Sequence, residues 1–183
     1  MRKILFIVQY PNGISPSQRF RLELYEKTLK ENNIDFHIQS FIDHSTRKII
    51  YQKGHALQKV FGVIKGFLRR FGGLIKIPNY DFIALYREAA PIGPPIFEWI
   101  YAKIFGKKII FDFDDAIWVP QVSENNKLKK IFRCSWKIKY ICRWSYKVSV
   151  GNMYLYDFAK RYNKNVVLNP TCVDTVYRHN ILH

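Results

Sequence analysis

Lys107–Pro120 reads KKIIFDFDDAIWVP. Behind a lysine pair, Ile109, Ile110 and Phe111 form a short β-branched and aromatic run of the kind found in a buried strand of a parallel sheet. Three carboxylates, Asp112, Asp114 and Asp115, follow at once. Ala116, Ile117, Trp118 and Val119 resume the apolar pattern, and Pro120 ends it. In open α/β sheets, ligands bind outside the carboxyl ends of the strands. An acid cluster at such an end is a candidate site for chemistry. An aspartate there also caps a following helix or closes a turn. Three acids within four residues exceed what one cap needs. Like charges this close repel, which raises at least one pKa and suits a site that handles protons or cations.

The flanking chain supports an α/β reading. KILFIV at residues 3–8 is a first strand. A loop with Pro11, Asn12 and Gly13 follows, and then a helix over about 17–32 with Ser15 or Ser17 as cap and Pro16 at its first turn. IDFHIQSF at 34–41 alternates as a second strand, and DFIALY at 81–86 is a third. Prolines 91, 94 and 95 prepare a helix running to about Phe105. After the acid cluster come a helix over 124–146, a strand KVSV at 147–150, a helix over about 153–163 and a last strand at 165–168. This β-α-β order predicts a Rossmann-like open parallel sheet with helices on both faces. The first loop lacks GxGxxG and a Walker lysine, so no nucleotide fingerprint is expected there. Arg19 and Arg21 open the first helix. They are either solvated helix charges or anion ligands beside the loop. Arg87 and Glu88 lie at the end of the third strand, either paired with each other or facing a substrate.

The chain has 183 residues, 48% of them hydrophobic and 16% aromatic, enough for one domain with a core. Cys134, Cys142 and Cys172 are odd in number and lack CxxC spacing. That argues against a disulfide framework and a zinc site, and no metal is expected. The apolar run at the start is only five residues long, too short for a signal-peptide core, and no run approaches a spanning helix. A cytoplasmic protein, peripheral to the inner face of the plasma membrane, is expected.

The net charge of +16 is localised. Eight Lys or Arg and no acid lie between Asp43 and Asp81, and eight more lie between Glu124 and Asp157. These segments carry the whole excess, which points to an anionic partner. In the first, apolar residues from Leu57 to Leu74 recur at three- and four-residue steps with cations between them. This is a basic amphipathic helix, interrupted or frayed by Gly62, Gly66, Gly72 and Gly73. It packs its apolar side on the sheet or lies on a membrane surface. The expected lipid contacts are Lys59, Phe61, Lys65, Phe67, Arg69 and Arg70, with Trp136 from the second segment.

Three blocks carry a resemblance. They are KILFIV with its loop, YREAAPIGPPIFEWIYAKIFGKKIIFDFDDAIW, and VSVGNMYLYDFAKRYNKNVVLNPTCVDT. Together they resemble the N-terminal half of a retaining GT-B glycosyltransferase of the family 4 type, from a bacterial subgroup that builds surface polysaccharides. Pro170, Val173 and Asp174 match the segment before that family's interdomain linker. The usual double-glycine loop is replaced by Asn12-Gly13. The resemblance implies an acceptor-binding domain over 1–170, the start of a linker over 171–183, and a C-terminal donor domain lying outside this chain. It implies sugar transfer from a nucleotide sugar, with retention and no obligatory metal, to a lipid-linked or saccharide acceptor. This chain would bind no cofactor and have little activity alone. Asp112, Asp114 and Asp115 would be acceptor-hydroxyl ligands or the proton acceptor. Asn12, Gly13, Arg19, Arg21, Arg87, Glu88 and Asn152 would contact the acceptor, the arginines suiting a lipid pyrophosphate.

Other readings stay open. IIFDFDDAIW also resembles motif one of haloacid dehalogenase-like phosphatases, with Asp112 as nucleophile and Asp114 as acid/base. That motif usually opens a chain, and no later acidic pair is present. A DxD metal site of GT-A glycosyltransferases requires a domain usually larger than this chain. A nucleic-acid-binding module fits basic stretches with aromatics, but no nucleic-acid motif is seen and none is the expected partner.

Overall fold

Six short strands alternate with helices, and all six pair in parallel. The computed structural model describes residues 2–119 and 133–172. The strands are β1 (Arg2–Val8), β2 (Ile34–Ser40), β3 (Phe82–Tyr86), β4 (Lys108–Phe113), β5 (Lys147–Val150) and β6 (Val166–Leu168). Their order is β2-β1-β3-β4-β5-β6, an open Rossmann-like sheet flanked by helices. The chain leaves β1 in one direction to form β2 and returns on the other side of β1 to form β3. The carboxyl ends of β1 and β3 therefore bound the crevice where such folds place ligands.

Period-2 alternation decides what each face of the sheet meets. Ile7, Ile83, Ile109, Phe111, Phe113, Val148 and Val150 point to one face and are wholly buried there. Their neighbours Ile4, Phe6, Ala84 and Ile110 point to the other face and are half-buried. That second face meets Leu22, Tyr25 and Leu29 across a cavity of about 290 Å³.

The first helical segment is not one helix. It divides into α1 (Pro16–Arg21), a 3-10 turn (Glu23–Tyr25) and α2 (Glu26–Glu31). The break falls at Leu22, with φ −134° and ψ −56°. Leu22 is buried against Val8 and Tyr86, while Glu23 accepts from the Gly13 N–H at 3.0–3.1 Å. One unbroken helix is not needed where two anchors pull in different directions. Ser15 occupies the cap position without a side-chain bond, and Pro16 is in the first turn.

The first basic segment forms α3 (His44–Ile49), capped by Asp43 accepting from Thr46 N–H at 2.8 Å, and then α4 (Ala56–Gly73). The glycines do not interrupt α4, which runs unbroken for 18 residues. Gly62 and Gly66 are its buried contact face, and a Cβ on Gly66 would lie 2.7 Å from the Phe41 ring. A short α5 (Ile96–Trp99) continues as a π-turn over Ile100–Ile104. Of the helix expected over 124–146, the described portion is α6 (Lys137–Trp144); residues 120–132 lie outside the described residues. The next helix, α7 (Met153–Lys160), stops three residues before the expected end. No helix among the described residues is long and apolar enough to cross a membrane.

Candidate functional site

The acid cluster divides because β4 runs on through Phe113. Asp112 is a strand residue, in register with Tyr86 of β3 and Ser149 of β5. Its side chain points to the half-covered face. There Arg21, at the end of α1, meets it as a fork, with Nε donating to Oδ2 at 2.9 Å and Nη2 donating to Oδ1. Ser149 Oγ also donates to Oδ1, and Arg21 Nη1 donates to the Asn169 carbonyl. Four parts of the chain, α1, β4, β5 and the end of β6, are thus tied together by one guanidinium. Burial raises the Asp112 carboxyl above the usual carboxylate range, and Arg21 and Ser149 oppose that shift. The neighbouring Asp114 charge is the smallest contributor, so like-charge repulsion is not the main cause. Burial is the largest influence and opposes the Arg21 charge, but the hydrogen bond and charge of Asp112, with the nearby Asp114 and Tyr86, together outweigh it and the Arg21 pKa is raised.

Asp114 and Asp115 lie just past the strand and form a second group. Tyr86 Oη donates to Asp114 Oδ1 at 3.0 Å. Arg87 Nη2 donates to the same oxygen at 3.3 Å and also to Asp115 Oδ2. Asp115 is the open member, with its side chain 53% exposed against 12% for Asp114. Arg87 sits at φ +61°, a left-handed conformation that costs a β-carbon residue energy. Its N–H donates to the Asp112 carbonyl at 2.8 Å, which fixes that conformation. Burial works against the Arg87 charge, but the nearby Tyr86, Asp114 and Asp115 groups hold its pKa above the ordinary value.

Several expected ligands have structural partners instead. Arg87 and Glu88 do not pair with each other. Glu88 is buried, accepts from Gln9 Nε2 at 2.8 Å, and lies 3.8 Å from Lys137 Nζ. The Gly13 N–H, the natural anion donor of the first loop, is taken by Glu23, and Asn12 Nδ2 donates to Glu26 at 3.0 Å. Asn152 caps α7, accepting from the Leu155 N–H at 3.0 Å. Arg19 lies over the ring of Phe20, 5.3 Å from its centre, whereas Arg21 turns to the acid.

The expected lipid-contact set also divides. Arg70 is wholly buried and cannot meet a bilayer, while the half-buried Phe67 packs on Phe41 at 5.3 Å. Arg69 donates to the Ser40 and Phe41 carbonyls, Lys65 pairs with Asp43 at 2.8 Å, and Lys59 Nζ donates to the Gln52 carbonyl. Phe61 and Trp136 are exposed at 75% and 52%. Leu57, Ile64 and Leu68 of α4 are exposed as well, so this helix buries glycine and arginine, packs Val63 and Phe67 on the core and presents a second set of large apolar side chains outward.

Sequence reasoning missed Ser149, Tyr86 and the Tyr10–Arg47–Tyr51 group. Ser149 carries a weak signal, as a polar residue inside the apolar strand KVSV. Tyr86 carries none, because an aromatic strand end reads as core. Among the described residues, no three His, Cys, Asp or Glu come together as a metal-binding group. No protein-family model matches the chain, and no curated protein matches its sequence.

Proposed function

We propose that this chain is the acceptor-side portion of a GT-B, family 4-type glycosyltransferase. It acts in surface polysaccharide biosynthesis with a donor-binding domain lying outside this chain. It sits peripherally on the inner face of the plasma membrane and presents a lipid-linked or saccharide acceptor to a nucleotide sugar. The observation that carries the reading is the open carboxylate of Asp115 beside Arg87 at the carboxyl end of β4. A carboxylate can accept an acceptor hydroxyl's hydrogen bond or proton only with a reachable lone pair. Asp115 has one, while the oxygens of Asp112 are taken by Arg21 and Ser149. Asp112 and Arg21 therefore act as positioning residues, and Asp114 orients Arg87. The same occupancy weighs against the phosphatase reading, in which Asp112 must attack phosphorus.

The test is transfer of radiolabelled sugar from a panel of nucleoside diphosphate sugars to a membrane lipid extract, using this chain together with its donor-binding domain. Asp115→Asn is expected to lower turnover by about 10²–10⁴ with little change in stability. Absence of transfer from every donor, or full activity in Asp115→Asn, would overturn the assignment.

A further inference from the structure

We infer that Tyr10, Arg47 and Arg87 form a phosphate-binding site at the carboxyl edge of the sheet, for the phosphate of a lipid headgroup. This deepens the proposed function and rests on it, since the phosphate would be the acceptor's. Arg47, on α3, lies over two tyrosine rings, 5.4 Å from the centre of Tyr10 and 4.6 Å from that of Tyr51. The two phenol oxygens are 2.8 Å apart and hydrogen-bonded. The Arg47 side chain makes no hydrogen bond or ion pair among the described residues, and its Nε is buried without a partner. The Nε of Arg87 is likewise buried and unpartnered, although Nη2 is held by Asp114 and Asp115. Buried N–H donors are nearly always satisfied, and an unsatisfied one costs about 1–3 kcal/mol. Two of them on guanidinium groups at one edge of a sheet are a standing demand for an acceptor.

β1 lies between β2 and β3, so the segments that carry Arg47, Tyr10 and Arg87 follow neighbouring strand ends. Burial pushes the Tyr10 phenol up to about 12, and the charges of Arg47 and Arg87 oppose that rise. Tyr10 thus stays a neutral hydroxyl with two cations near it. Guanidinium forks and a phenol are donors suited to phosphate oxygens. The local acid does not compete at Arg47. Asp43, four residues before it, is committed to the Thr46 N–H, Lys65 and Arg69. Location selects the lipid source. Arg47 and Tyr51 lie just ahead of α4, whose exposed Leu57 and Phe61 begin an outward apolar stripe. A headgroup phosphate at Arg47 leaves acyl chains alongside that stripe.

The experiment titrates the full chain, by calorimetry, with inorganic pyrophosphate and with a short-chain phosphatidic acid below its micellar concentration. The lipid probe is expected to bind wild type and to bind Arg47→Gln at least tenfold more weakly. Arg47→Lys, which keeps the charge without the fork, is expected to lie between them. Weakening of the lipid probe alone assigns the site to headgroups, and equal weakening of both probes assigns it to phosphate from either source. Failure of both probes to bind wild type overturns the site. So does unchanged affinity in Arg47→Gln and Arg47→Lys. The readout needs no turnover, so phosphate binding without sugar transfer would sink the transferase reading alone. Transfer with unaltered affinity in Arg47→Gln would sink the site alone.

Discussion

At Glu98 the physics of a single residue is plain. Its carboxylate is buried under α5 and accepts from the Ala89 N–H at 2.9 Å. Burial raises its pKa above the ordinary 4.5, against the pull of that hydrogen bond and of Lys137. Glu88 is raised for the same first reason, with Lys137 and Arg133 opposing. A carboxyl whose folded pKa exceeds its unfolded one adds stability below about 4.5 and loses it as pH rises through the folded value. Glu98→Gln keeps an acceptor for Ala89 and removes the buried charge. The variant is expected to melt about 3–6 °C higher than wild type at pH 8, roughly 1–2 kcal/mol, with the gap closing toward pH 4. Thermal melts across that range check it, and an equal gap at both ends would contradict the linkage. Nothing in IFEWI signals this, because Glu98 falls in a helix where an acid reads as solvated. The three aspartates after Phe111 were legible as an acid cluster at a strand end. The Asp112 partners Arg21 and Ser149 come from 91 and 37 residues away, a distance no local pattern spans.

At the scale of one element, α4 has the amphipathic period that its sequence implies, with Leu57, Phe61, Ile64 and Leu68 outward and Val63 and Phe67 packed against the core. Gly62, Gly66, Arg70 and Gly73 recur on the inner face. Arg70 is wholly buried without an acid bonded to it. Its guanidinium donates instead to the carbonyls of Val8, Gln39 and Ala89 at 2.6–2.8 Å, tying the ends of β1 and β2 to the loop after β3. Burial lowers its pKa to about 10, so it remains charged at neutral pH. The glycines allow the close approach that brings Arg70 to those carbonyls. Two substitutions separate this packing role from helix propensity. At Gly66 a Cβ would meet the Phe41 ring at 2.7–2.8 Å and its carbonyl oxygen at 2.8 Å, whereas at Gly72 it would meet nothing within 4 Å. Gly66→Ala is expected to cost about 1–3 kcal/mol despite the better helix former. Gly72→Ala is expected to gain about 0.5–1 kcal/mol. Urea denaturation of both variants measures the difference, and destabilisation by both would mean that the glycines serve the backbone and not the packing. A periodic count of apolar residues cannot distinguish these faces, because Gly has no hydrophobicity to add and Arg reads as solvent-facing.

For the whole molecule, the question is what the +16 charge and the outward apolar stripe do together. The strands and their parallel order were readable, since each short apolar run sits between turn residues and a helical pattern. The use of the charge was not, because several cations of the basic segments are structural: Arg70 and Lys137 are buried, and Arg69 and Lys65 hold Asp43. A surface that binds nucleic acid needs its cations free for phosphates along a track. This molecule instead leaves large apolar groups free: Leu57 and Ile75 are each 84% exposed, with Phe61 at 75% and Leu68 at 65% between them. An apolar stripe of this kind on a cationic protein fits the interface of an anionic bilayer, where full burial of each side chain is worth about 1.5–3 kcal/mol. The chain is therefore expected to sediment with phosphatidylglycerol vesicles and not with neutral phosphatidylcholine vesicles. Salt raised to 0.5 M, a condition set by the screening length, should weaken that binding without abolishing it. Replacing Phe61 and Leu68 together by Gln should weaken it about 100-fold or more and leave the melting temperature unchanged, because neither side chain is part of the core. Retention of the double variant on anionic vesicles at wild-type affinity would assign binding to charge alone. Binding to DNA at moderate salt in place of vesicles would assign the basic surface to nucleic acid.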